Sequence, residues 1–333
     1  MANATATGTE PTLPQNTQTP ADPATPTTNA SYTATFSPTV ATGPTPRQQA
    51  IVGLGVLGDS SSDEYRANDN RGGAYASTTL NWVELLQRYR GVNVGAWGTR
   101  AEPRRTGYEY NWARTGARAL DLIRQGQHTG VAQQVREGRV SHVVIWIGSN
   151  DFAEWNGTYA EVYNGTLSDR QVQQKVRDIV SSITTAVQTV QAAGDARLML
   201  VNLGDVGMSP AYVAKYPNVT GRQRVTNAIA AVNAGLASLA GSRDILLVDA
   251  FAFGQSIMGQ VRGGNLYVDG VAISPIRSGD EPHHALLGDS IHAGTVMNGL
   301  LANALFIERA NAGFDIGIDP FTNQEILRFA GIR

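Results

Sequence analysis

Ser60 is the residue whose surroundings most resemble those of a nucleophile. Residues Ile51 to Asp63 read Ile-Val-Gly-Leu-Gly-Val-Leu-Gly-Asp-Ser-Ser-Ser-Asp. The β-branched and small apolar residues predict a buried strand that stops at Gly58 and presents the Ser60 hydroxyl at its carboxyl end. Open parallel α/β sheets place their chemistry at that end. A serine hydroxyl is a weak nucleophile at its own pKa and needs a neighbouring base, normally a histidine oriented by a carboxylate. Of the five histidines, His142 opens a predicted strand at the wrong end of the sheet, and His128 lies in a polar stretch that predicts exposure. His283, His284 and His292 remain. His292 follows Asp289 by three residues in Gly288-Asp289-Ser290-Ile291-His292. An aspartate so placed in a tight loop can turn back onto the imidazole Nδ1–H, fix the tautomer and leave Nε2 free to take the serine proton. The spacing by itself is common, and alone it reads as a surface loop.

These side chains need elements that carry them to one place. From residue 50 strand and helix patterns alternate, which predicts a parallel α/β sheet. The candidate strands are residues 50–57, 92–97, 141–147, 197–203 and 244–249, five in all. Leu80, Val83, Leu86 and Tyr89 repeat at helical spacing, as do Val172, Val176, Ile179, Ile183 and Val187. Residues 223–239 and 295–309 carry the last two long helices. The first strand ends in Gly58-Asp59-Ser60 and the third in Gly148-Ser149-Asn150-Asp151, while Asn111 to Ala117 follows the second. Parallel strands point the same way, so these polar clusters fall on one edge of the sheet. A hydroxyl, an amide side chain and a glycine backbone thereby converge on one crevice.

Composition narrows the alternatives. The chain has 333 residues, 42% hydrophobic and 16% charged, with a net charge of −2. That balance fits a globular protein with a sizeable core and offers no sign of a nucleic-acid partner. Arginines crowd between Arg88 and Arg139, but Glu102, Glu109, Asp121 and Glu137 are interleaved, so the stretch reads as a solvated helical face. The chain has no cysteine, which excludes disulfides, thiolate catalysis and cysteine metal sites. No apolar run is long enough to span a bilayer. Residues 1–49 are rich in Thr, Pro, Ala and Asn and predict disorder; with no signal sequence at the N-terminus, they suit a mature exported bacterial protein. Gly53-Leu54-Gly55-Val56-Leu57-Gly58 matches the dinucleotide pattern G-x-G-x-x-G, but two of its glycines sit inside the strand. About 20 positions on lie Thr78, Thr79 and Leu80 rather than an acid, so dinucleotide binding is set aside.

Gly58-Asp59-Ser60, Gly116 after Asn111, Gly148-Ser149-Asn150-Asp151 and Asp289-x-x-His292 occur in the order and rough spacing of the SGNH (GDSL-type) hydrolases, and the resemblance covers roughly residues 50–310. It implies a three-layer α/β/α sandwich around a mainly parallel five-stranded sheet. Ser60 would be the nucleophile, His292 the general acid/base and Asp289 the residue orienting it. The backbone N–H groups of Ser60 and Gly116 and the Asn150 amide would form the oxyanion hole. No cofactor or metal is implied. The resemblance departs at Ser61 and Ser62, where the family usually continues with Leu. A second Gly-Asp-Ser at Gly288-Asp289-Ser290 lacks a preceding strand, which makes Ser290 a bystander or at most a supporting hydrogen bonder.

Asp280, Glu281, His283, His284 and Asp289 crowd together, and their segment reads as a mobile substrate loop rather than a metal site. Asp59 and Trp155 are the candidate substrate contacts. Trp155, with Phe152 and Tyr159, would form an aromatic wall for an acyl chain or sugar, the competing reading being plain core. Asp63, Glu64, Arg66, Asp69 and Arg71 form a polar loop that either selects substrate or is simply solvated. The expectation is a secreted esterase on small-molecule or polysaccharide esters, with 50–312 as its catalytic domain and 313–333 as a docked tail. A lipase or lysophospholipase, or a catalytically silent carbohydrate-binding module, are the alternatives. The sequence carries no indication of oligomeric state.

Overall fold

The computed structural model describes residues 50–67 and 71–332, so the expectation for residues 1–49 lies outside the described residues. Nine strands are present among them: β1 (Leu54–Gly58), β2 (Trp97–Thr99), β3 (Thr106–Tyr108), β4 (His142–Trp146), β5 (Arg197–Val201), β6 (Leu246–Val248), β7 (Leu266–Val268), β8 (Val271–Ser278) and β9 (His284–Leu286). The main sheet has the order β1-β4-β5-β6 and is parallel throughout. Successive strand residues point to opposite faces, and the core divides accordingly. Leu54, Val56, Val144, Met199 and Val201 enter one cluster, with helices Trp82–Arg90, Ala250–Gly259 and Thr295–Leu301 over it. Leu57, Val143, Ile145, Leu198 and Leu200 enter the other, beneath helices Gln127–Arg136, Asp169–Gln191 and Val219–Gly241. This is the three-layer α/β/α sandwich, with the sheet as the middle layer.

The sheet has four strands rather than five. The segment expected as a strand at 92–97 reaches β1 only at Asn93, whose carbonyl accepts from Leu54 N–H at 2.8 Å. Further along, Val56 bonds instead to Tyr110 and Trp112. Gly95 explains the break. Its φ of +83° is in the left-handed region, and a Cβ there would lie 2.5 Å from Glu109 Cβ. The chain bends away at that point into the β2–β3 hairpin, and two short segments share the edge one strand was expected to fill.

The helical expectations correspond to helices Trp82–Arg90, Asp169–Gln191 and Val219–Gly241. The last long helix begins at Thr295 and passes through a π-helical turn at Ala302–Ile307 before ending at Phe314. Phe306, in that turn, stacks on buried Trp82 with ring centroids 3.7 Å apart. Helix Asn323–Phe329 contributes Ile326, Leu327 and Phe329 to the first cluster. Arg90 holds this end of the chain through Glu325 at 2.9 Å and the Pro320 carbonyl at 3.0 Å.

Candidate active site

Gly58 of β1 and Trp146 of β4 are level in the parallel register, so the loops that follow them leave the sheet side by side. A Cβ on Gly58 would meet the Trp146 carbonyl at 2.6 Å, so only glycine permits this approach. After β1 the chain makes a tight turn in which Ser62 and Asp63 N–H both donate to the Asp59 carbonyl. Ser60 is 8% exposed at its crest. Four side chains hold the turn from outside: Gln127 brackets Gly58, Asn111 donates to the Ser62 carbonyl, Trp82 Nε1–H to Ser62 Oγ, and Asn81 to the Asp63 carbonyl.

Asp59 is 2% exposed and offers substrate little surface. Its Oδ1 accepts from Ser61 N–H at 2.9 Å, and burial raises its pKa. Its work is on the turn itself.

Asp63 joins this turn to the segment carrying Gly116. Its carboxylate accepts from Thr115 N–H at 2.8 Å and pairs with Arg114 at 3.5 Å. Gly116 has a φ of +78°, and a Cβ on it would meet nothing within 4 Å, so its backbone conformation, not space, favours glycine. Asn150 Nδ2 donates to the Ala117 carbonyl at 3.0 Å, which holds the amide beside Gly116 and leaves its second N–H. Neighbouring Asp151 accepts from Ala119 N–H at 2.9 Å; burial, opposed by that bond and by Arg118, pushes its carboxyl up to about 6. Among the described residues, no acceptor is bonded to the backbone N–H of Ser60 or of Gly116.

Asp289 Oδ1 accepts from both Ile291 and His292 backbone N–H at 2.9 Å, and its Oδ2 lies 2.5 Å from His292 Nδ1. Burial alone would raise the Asp289 pKa, but the bond to His292, its charge and the two N–H donors outweigh that and hold it far below the usual carboxylate range. His292 Nε2 is enclosed and has no hydrogen-bond partner among the described residues, so the ring is anchored at one nitrogen and uncommitted at the other. No hydrogen bond joins it to Ser60, as is common before substrate tightens such a site. The two loops do meet through Tyr65. Its ring stands edge-on to His292 with centroids 6.2 Å apart, and its hydroxyl donates to the Ala293 carbonyl at 3.0 Å.

A family model for GDSL-like lipase/acylhydrolase domains matches residues 54–305, the stretch that contains all of these groups. The chain belongs to that family. No curated protein sequence matches the chain significantly. Among solved structures it is similar to a lipase from a goat rumen metagenome (12% identity, TM-score 0.47, covering 78% of this chain and 96% of that one). It is also similar to an acetylxylan esterase from Geobacillus stearothermophilus (17% identity, TM-score 0.43, 80% and 94%). An extracellular lipase from Streptomyces rimosus is similar over 62% of this chain and 82% of its own, at 15% identity and a TM-score of 0.38.

Other residues of this GDSL-family chain lie where the sequence did not suggest. His128 is buried rather than exposed, because helix Gln127–Arg136 turns that side toward the body. His142 is also buried, and that pushes its pKa down to about 4. The polar loop after Ser60 is not simply solvated, since Asp63 and Glu64 point inward. Glu64 accepts from Tyr108 N–H at 2.8 Å; burial, reinforced by the charges of Asp63 and Glu84, pushes its pKa up to about 8. Glu84, in the capping box of Asn81, accepts from Tyr65 N–H at 3.2 Å and fixes the start of that residue's turn.

Of the proposed aromatic wall, Phe152 and Tyr159 are core, while Trp155 is 63% exposed. The segment expected to be a mobile loop instead contains β9, and the crowd of acids and histidines in it is dispersed. Asp280 accepts from Gly288 N–H, while Glu281 lies beside His284. Tyr65 and Asn298, which both bond to the Ala293 carbonyl, were missed. Neither stands in a motif, and only the capping signal Asn81-x-x-Glu84 hinted at an anchored turn nearby.

Proposed function

We propose that this chain is a serine esterase working through an acyl-enzyme. The observation that carries the reading is His292, oriented at Nδ1 by Asp289 and uncommitted at an enclosed Nε2. Ser60 Oγ attacks the ester carbonyl as His292 Nε2 takes its proton. The oxyanion is met by the N–H groups of Ser60 and Gly116 and by the Asn150 amide, donors that this chain does not otherwise use up. Collapse expels the alcohol, which leaves with the proton from His292. Water then attacks the acyl-serine, giving one proton to His292. As the second tetrahedral intermediate collapses, His292 passes that proton to Ser60 Oγ, releasing the carboxylic acid and restoring the Ser60 hydroxyl. Preorganised donors of this kind are each worth about 2.7–4 kcal/mol of barrier.

Within that class the reading is a secreted short-acyl carboxylesterase or polysaccharide acetylesterase, with 50–312 as the catalytic domain and the remaining C-terminal residues packed on it. Among the described residues no helix is long and apolar enough to cross a membrane. A second reading, lipase, is favoured by one observation. Ile291, inside the Asp289–His292 loop, is 61% exposed, and Trp155, Met208 and Ile276 are also exposed. Hydrolysis of p-nitrophenyl esters from acetate to palmitate by wild type and Ser60→Ala tests both readings. Turnover of acetate or butyrate that Ser60→Ala abolishes supports the esterase. A maximum at palmitate moves the lipase forward, and Ser60→Ala acting like wild type refutes the nucleophile. Inactivity of both proteins on every ester favours the silent binding module.

A further inference from the structure

Ahead of the Asp289 loop the chain inserts the small sheet β7-β8-β9, which is separate from the sandwich sheet and carries an open cavity of about 320 Å³. Ala272, Ser274 and Ile276 of β8 line it, as the two-residue period of a strand requires. That period would send Arg277 to the opposite face. Between the pairs Ser274–His284 and Ser278–Leu286, however, β8 advances four residues while β9 advances two. The surplus forms a bulge, closed by Arg277 N–H donating to Ser274 Oγ at 3.1 Å, and Arg277 joins the lining beside Ile276. Bulges of this kind re-aim side chains and are frequent beside active sites.

The chemistry of the lining is one-sided. The Arg277 guanidinium is exposed and makes no hydrogen bond or ion pair with the described residues, and the same holds for the His283 side chain. Asn265 adds an amide. No carboxylate is among the lining residues; Glu281 stands beside the cavity's His284, 3.1 Å from its Nδ1. The cavity therefore presents donors and a free cation, and a planar guanidinium fits a carboxylate or phosphate through two parallel bonds. It also adjoins the candidate catalytic loop. Ser278, the next residue after Arg277, accepts from Ser290 Oγ at 2.7 Å, and Ser290 stands between Asp289 and His292.

We propose that this cavity binds an anionic group, carboxylate or phosphate, on the part of the ester remote from the scissile bond, with Arg277 as the recognising residue. The proposal rests on the esterase reading and narrows its substrates to esters that carry such a charge. The test compares phenyl acetate with 4-acetoxybenzoate and 4-acetoxyphenyl phosphate in wild type, Arg277→Ala and Arg277→Lys, with melting temperatures to check folding. The ratio of kcat/KM on an anionic ester to that on phenyl acetate, compared between proteins, cancels the different leaving groups. That ratio is expected to fall about tenfold or more in Arg277→Ala, through KM, as loss of one charge-assisted bond requires. Arg277→Lys recovers part of it, and the ester with the larger fall separates carboxylate from phosphate. An unchanged ratio for both anionic esters overturns the proposal.

If wild type cleaves none of the three esters, the esterase reading fails by itself. Calorimetric titration with D-glucuronate and glucose 6-phosphate still reads the cavity. Binding lost in Arg277→Ala supports an anion subsite; binding equal in both proteins, or absent from both, removes it.

Discussion

Replacing Asp289 with Asn separates what this carboxylate does for the loop from what it does for His292. Its Oδ1 takes two backbone N–H groups, those of Ile291 and His292, and an Asn carbonyl oxygen can take both. Its Oδ2 faces His292 Nδ1 at 2.5 Å, and there Asn presents an N–H₂ to an N–H. To relieve that clash the ring must move its proton to Nε2, the atom that has to be empty to accept one from Ser60. A charge-assisted bond is worth about 1.5–3 kcal/mol, which corresponds to a fall in kcat of about 10- to 150-fold. The Asp289 side chain is 41% exposed, so solvent screening puts the expectation toward the lower end. The assay is p-nitrophenyl acetate hydrolysis at saturating substrate, with thermal melts of both proteins. A variant that melts with wild type and keeps kcat within about twofold would refute the orienting role.

Two further outcomes follow from the same geometry. If the Asn150 amide is the oxyanion donor proposed above, Asn150→Ala should lower kcat by about 10²–10³-fold with little change in KM; a change in KM alone would count against that role. Glu64→Gln bears on stability. Folding raises the Glu64 pKa from 4.5 to about 8, so the native state keeps a proton that the unfolded chain releases between those values. Its stabilising contribution is complete below pH 4.5 and is lost as pH rises through about 8, at a cost of order a few kcal/mol. Urea unfolding across that window should show a flatter pH slope for Glu64→Gln, and equal slopes would show that Glu64 is not the titrating group.

The alternation of apolar runs and helical stripes carries the α/β class in the sequence itself, because periods of two and 3.6 are local properties of the chain. Polar residues at the ends of those runs could be read for the same reason: once strands are parallel, their carboxyl ends share an edge, and Ser60 and Asn150 fall there after β1 and β4. The Asp289–His292 contact could be anticipated because the two are three residues apart and need no distant element to meet, although that spacing alone also suits a surface loop and only the resemblance gave it a role.

What required the fold is contact between segments far apart in sequence. Residues 92–97 have a strand's composition, yet Gly95 turns the chain out of the sheet toward Glu109. Asp63, Glu64 and His128 are polar letters that imply solvent, and only the packing around them decided that they are enclosed. Tyr65 reaches Ala293 across 228 positions, so nothing local to either residue could announce that the serine loop and the histidine loop are tied together. Arg277 is the same case on a smaller scale. A bulge of two residues decides which face of the strand it takes, and register between strands is a tertiary choice.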